Sequence, residues 1–73
     1  MQVNVSKLRG KIVESGLSNE KVAEALGIDG STFFRKLKAD GLSFSIGQMH
    51  GMVDVLHLTP AEACDIFLSQ NSH

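Results

Sequence analysis

Apolar residues recur along this chain at the three-to-four-residue spacing of helices, and the strict alternation of a half-buried strand is scarce. The first such segment runs from Val5 or Ser6 to Glu14, with Leu8, Ile12 and Val13 as its predicted buried stripe. Gly16 fits the left-handed position just past a helix end. A second segment starts at Ser18, a favoured N-cap type, and ends at Leu26; Val22, Ala23 and Leu26 share one face, while Glu20, Lys21 and Glu24 point outward. Lys21 at the third helical position leaves that cap short of a full capping box. The third segment begins near Asp29 or Ser31, turns Phe33 and Leu37 inward and ends around Ala39, where Asp40-Gly41 signals a turn. In the loop that follows, Leu42 and Phe44 are both expected to tuck into the core. The fourth segment has Ser45 as cap, carries Ile46, Met49, Val53 and Leu56 on one stripe, and ends by His57 or Leu58. Gly51 lies inside it, at a cost of about 1 kcal/mol relative to Ala. In the fifth, Thr59-Pro60-Ala61-Glu62 combines a cap, a proline at the first helical position and the glutamate of a capping box. Ala63, Ile66 and Phe67 form its apolar face, and the polar residues from Ser69 to His73 read as a fraying tail.

Five short helices with connections of a few residues predict an all-α, five-helix fold, one domain over residues 1–73. No internal repeat, low-complexity tract or linker interrupts it. A chain this small buries only about 60% of the surface that it exposes when unfolded. Cys64 is the only cysteine, so no disulfide can staple a monomer. Stability must come from packed apolar side chains, or from those together with a second copy of the chain.

Composition and charge narrow the function. With 42% hydrophobic and 21% charged residues the chain reads as an ordinary globular domain and not as a disordered or membrane segment. Its N-terminal stretch is too polar for a secretory signal, and no apolar run approaches membrane-spanning length, which predicts a cytoplasmic protein with no membrane partner. The net charge of −1 hides an asymmetry. All seven basic residues (Lys7, Arg9, Lys11, Lys21, Arg35, Lys36, Lys38) lie at or before position 38, against four acids there, a surplus of three positive charges. From Ala39 onward come four acids and no lysine or arginine. Such a division hints at an anionic partner for the basic half.

The stretch from Ser18 to Ala39 has the layout that a helix-turn-helix requires. Ala23 is small where a second helix must cross closely, and Gly27 tolerates the left-handed angles of a tight turn. Ile28 leaves the turn as an apolar plug, and Phe33 and Leu37 give the second helix an inner face. Its N-terminal end, Asp29-Gly30-Ser31-Thr32, is small and polar.

Leu17-Ser18, Val22-Ala23, Leu26-Gly27-Ile28, Ser31-Thr32 and Arg35 together resemble the helix-turn-helix of the phage-repressor-like family, the Cro/CI or XRE type. The flanking Lys7–Val13 and Ser45–Glu62 segments resemble the family's first, fourth and fifth helices, so the likeness covers most of the chain. It implies a lambda-repressor-like DNA-binding domain that acts as a homodimer on double-stranded DNA, with the third helix in the major groove. On that reading Gly30, Ser31, Thr32, Phe34 and Arg35 face the bases, Arg35 being suited to guanine O6 and N7 and Phe34 to a thymine methyl. Asn19, Lys36, Lys38, Ser43 and Ser45 are the candidate phosphate contacts. Ser31 and Thr32 could instead cap the third helix, and Phe34 could be partly buried. Gly30 departs from the family pattern, which often has a polar or basic side chain there.

Met52, Val55 and Leu68 lie off or at the edge of the predicted stripes and are the candidate dimer surface. His50, Asp54 and His57 share a helix face at metal-ligand spacing, though solvated polar residues are the simpler expectation, and Cys64 reads as a small core residue. No paired carboxylates, nucleophile–base pair or glycine-rich phosphate loop occurs, so no enzymatic activity, cofactor, metal or small-molecule substrate is expected. A protein-binding adaptor that keeps the fold is the alternative. It would be favoured if Arg35, Lys36 and Lys38 were taken up in salt bridges to Glu20, Glu24 or Asp40.

Overall fold

A computed structural model describes residues 2–69, which form five α-helices: α1 (Val5–Glu14), α2 (Asn19–Leu26), α3 (Gly30–Lys38), α4 (Ile46–Val55) and α5 (Pro60–Phe67). The described residues contain no strand, only an isolated antiparallel bridge between Gln2 and Ser69. Ser69 is therefore paired; residues 70–73 of the expected polar tail lie outside the described residues. The fold is all-α, with α3 and α4 packed on α2 and α1 packed on α5.

Side-chain caps fix most helix starts. Asn4 Oδ1 accepts from the Lys7 amide at 3.1 Å and Ser18 Oγ from the Lys21 amide at 3.1 Å. Ser45 with Gln48 and Thr59 with Glu62 form reciprocal capping boxes. At the start of α3, Asp29 is the extended N-cap residue but makes no side-chain cap bond. Ser31 and Thr32 lie inside the helix and do not cap it.

Three helices end alike. Gly27, Asp40 and His57 adopt left-handed angles, at φ 75°, 66° and 53°. The amide after each reaches back five residues: Ile28 to the Ala23 carbonyl, Gly41 to Lys36 and Leu58 to Val53, at 3.0, 2.9 and 3.0 Å. These are Schellman turns. Asp40 and His57 carry a left-handed penalty of about 1–2 kcal/mol that glycine would not.

Every helix sends an apolar side chain to the centre, where Leu8, Val22, Phe33, Leu37, Met52 and Ile66 are fully buried. Phe44, entering from the loop after α3, sets its ring 5.4 Å from that of Phe33. No polar or charged residue is buried among the described residues.

Several expected positions are corrected. Val13 is 78% exposed, because Val5, Leu8 and Ile12 make the inner stripe of α1 and Val13 lies about 100° round from Ile12. Leu42 is exposed, since Phe44 already fills the space beside Phe33. Cys64 is exposed at the edge of the α5 face formed by Ile66 and Phe67. The largest change is in α4, where Met52 is fully buried and Ile46 is 70% exposed. This helix has α2 on one side, where a Cβ at Gly51 would lie 2.5 Å from Leu26 Cδ2, and α5 on the other. Its buried arc is accordingly broad and is turned roughly 60° from the expected stripe, towards Met52.

The two ends of the chain are tied together. Gln2 and Ser69 exchange backbone hydrogen bonds, and the Asn4 amide donates to the Ile66 carbonyl at 2.6 Å. Lys7 Nζ pairs with Asp65 at 3.0 Å, and Lys11 Nζ donates to Glu62. The Lys11 ammonium, helped by the Thr59 amide, lowers the Glu62 carboxyl from its ordinary 4.5 to about 2.

Two stability effects follow. A carboxyl held below its unfolded value stabilises the fold above that value, and the contribution is lost as pH falls through the folded one. Urea midpoints should therefore decline between about pH 4.5 and 2, and Glu62→Gln should flatten that decline; an unchanged slope would assign it to other carboxylates. Gly41 (φ 72°) and Gly16 (φ 80°) are both left-handed, but only at Gly41 would a Cβ meet Val3 Cγ1, at 2.9 Å. Gly16→Ala should cost about 1–2 kcal/mol, and Gly41→Ala at least about 1 kcal/mol more from overpacking. Equal losses in urea unfolding would contradict this packing.

Candidate nucleic-acid interface

Gly27 and Ile28 position the candidate site. The Gly27 amide donates to Glu24 and the Ile28 amide to Ala23, both at 3.0 Å, so the α2 carbonyls are satisfied as the chain turns. Ala23 is fully buried, Ile28 packs against the core, and α3 starts after Asp29. Phe33 and Leu37 then anchor the inner face of α3.

Residues 100° apart in projection place Ser31, Arg35 and Lys38 on the opposite, outer face. All three are exposed, and Arg35 lies most nearly opposite the Phe33–Leu37 stripe. Phe34 borders that face and is 45% exposed, with Lys38 Nζ 5.5 Å from its ring centroid. Thr32 is half-buried on the other flank. Gly30 is also half-buried, beneath Glu20, whose Cγ would lie 3.2 Å from a Cβ at position 30. Glu20 thus fills the space that a side chain at residue 30 would use, and position 30 presents only backbone.

The candidate phosphate residues fall into two groups. Lys36 Nζ donates to the Ser43 carbonyl at 2.9 Å, which brings Lys36 and Ser43 together and ties the loop to α3. Asn19 and Ser45 instead occupy the N-terminal ends of α2 and α4. The Ser45 oxygen accepts from the Gln48 amide at 3.0 Å, leaving its hydroxyl proton free to donate.

Charge pairing separates the basic residues. Lys7 pairs with Asp65, Lys11 with Glu14 and Glu62, and Lys21 with Glu24. Among the described residues, no carboxylate lies within 4.0 Å of the charged groups of Arg35, Lys36 or Lys38, nor of Arg9 on α1. Arg35, Lys36 and Lys38 sit in the last turn of α3, where cations complement the helix dipole.

The tentative dimer residues do not form one surface. Met52 is fully buried and cannot line an interface, Val55 is half-buried against the core, and Leu68 is 54% exposed. His50, Asp54 and His57 do not converge: among the described residues no three His, Cys, Asp or Glu side chains come together to hold a metal ion. His57 serves instead as the left-handed end of α4. No helix among the described residues is long and apolar enough to cross a membrane.

No family model matches the chain, and no curated protein or solved structure is significantly similar to it.

Two features escaped the sequence reading. The Phe34–Lys38 pair had a signal, since residues four apart meet on a helix. The placement of Glu20 over Gly30 joins two helices and has no local signature.

Proposed function

We propose that this chain is a DNA-binding regulatory domain of the phage-repressor type, using α3 as its reading helix in the major groove. The observation that carries the reading is the cluster of Arg35, Lys36 and Lys38 in the last turn of α3, none within 4.0 Å of a carboxylate, while the lysines of α1 and α2 each face one; Arg9 on α1 is the other basic residue without a carboxylate partner among the described residues. An unpaired surface cation gains by meeting a phosphate and releasing its counterion. Arg35, at the centre of the outer face, reads guanine; Lys36 and Lys38, with Asn19, Ser43 and Ser45, hold the backbone. The adaptor alternative calls for these cations to be salt-bridged to Glu20, Glu24 or Asp40, and Glu24 pairs with Lys21 instead.

The domain acts as a homodimer, each copy reading one half-site about one helical turn from the other. Of Met52, Val55 and Leu68, Leu68 is the one with its side chain exposed.

Fluorescence anisotropy with mixed duplex fragments at low and moderate salt tests the proposal. Binding that weakens as salt rises is expected, and no binding at low salt removes the reading. Arg35→Ala should weaken binding to a preferred duplex by about 1–3 kcal/mol and relax its sequence preference. Lys38→Ala should weaken binding to all duplexes alike and reduce the salt slope by about 1. If Arg35→Ala binds as the wild type does, another residue reads the bases.

A further inference from the structure

Glu20 differs from the other charged residues of α2. Lys21 and Glu24 face each other, whereas Glu20 is exposed and makes no salt bridge among the described residues. An acid in the first turn of α2 suits the helix dipole. That role asks nothing of where the side chain goes, yet Glu20 is laid across to the neighbouring helix. Its Cα, Cβ and Cγ stand 3.8, 3.9 and 3.2 Å from the place of a Cβ at Gly30. The carboxyl carbon is the next atom beyond Cγ, so the carboxylate stands beside the start of α3. Gly30 admits it there, because any larger residue would press on Cγ.

The surface of α3 is therefore ordered in charge. Glu20 and the exposed N-cap residue Asp29 stand at its first turn, and Arg35, Lys36 and Lys38 at its last. A phosphate set against the first turn would be repelled, whereas one set against the last would be attracted. The N-terminal end of a reading helix is also the part that meets base edges. There a carboxylate needs a hydrogen-bond donor to replace the water that it loses.

Resting on the DNA-binding reading above, we infer that Glu20, carried by α2 into the place of a side chain at residue 30, is a specificity residue that accepts a hydrogen bond from the N4 amino group of a cytosine. In the major groove the base donors are the amino groups of cytosine and adenine. Adenine N6 lies beside the N7 acceptor of the same base, which repels a carboxylate; cytosine N4 has no such neighbour on its own ring. A carboxylate also penalises every base pair that presents acceptors at that point, so Glu20 selects by exclusion as well as by attraction.

The test uses duplexes recovered by the wild-type protein from a random-sequence library. They are resynthesised with N4-methylcytosine at each recurring cytosine in turn, which removes the groove-facing N–H and leaves the base pair intact. At one position the wild type should bind the methylated duplex about tenfold more weakly. Glu20→Ala should bind the unmodified duplex about tenfold more weakly and be indifferent to methylation there, while binding mixed duplexes no less tightly than the wild type. Its circular dichroism should match the wild type, because residue 20 is outside the core. Asp29→Asn, which removes the neighbouring charge, should keep the sensitivity to methylation. Wild-type indifference at every cytosine would overturn the inference. So would recovered duplexes without a recurring cytosine, a methylation loss that persists in Glu20→Ala or vanishes in Asp29→Asn, or an equal weakening of Glu20→Ala on selected and mixed duplexes. Failure to enrich any duplex would remove the DNA-binding reading, and this inference with it, whereas the other adverse outcomes leave that reading intact.

Discussion

The hydrogen bond from the Ile28 amide to the Ala23 carbonyl makes two short helices into one unit. Helices as short as α2 and α3 are unstable alone, because nucleation costs more than a few backbone bonds return. Their geometry is set by what they pack against and by the turn between them. Gly27 supplies the left-handed step without a Cβ penalty, and fully buried Ala23 keeps the approach close. With that turn fixed, Phe33 and Leu37 point inward, and Ser31, Arg35 and Lys38 must point out. The outward face of α3 is therefore a consequence of the turn and the core.

Electrostatics acts on that frame by division. The acidic C-terminal half sends Glu62 and Asp65 to the lysines of α1, where they close α5 against α1. Glu62 also completes the α5 cap, so one carboxylate serves the helix start and the tertiary contact together. The near-neutral net charge thus coexists with cations on α3 that face no carboxylate. With Arg9, the cations of α3 are the basic residues that face no carboxylate among the described residues, and their fit to the helix dipole keeps them harmless to the fold.

What was legible in the sequence was local. Ser18, Gly27 and Thr59-Pro60 announce caps and turns through the chemistry of one or a few residues, and the structure has them in those roles. Ser45 followed three residues later by Gln48 carries the same kind of signal, the capping box of α4. Errors came where burial depends on several neighbours at once. Met52 and Ile46 exchanged places because α4 has α2 on one side and α5 on the other, which a single-stripe pattern does not encode. Val13, Leu42 and Cys64 failed likewise: apolar character alone does not say which side of a small core is already full. On the candidate site, the outward position of Arg35 was readable from spacing, whereas Glu20 over Gly30 needed the packing of α3 on α2.

In the proposed complex, α3 makes the contact with DNA. Amide chemical-shift mapping of the 15N-labelled protein with a library-selected duplex at low salt tests it most directly. Perturbations should concentrate in residues 30–38, with further shifts at Asn19 and from Ser43 to Ser45. Shifts confined to α1 and α5, or none at saturating duplex, would contradict it.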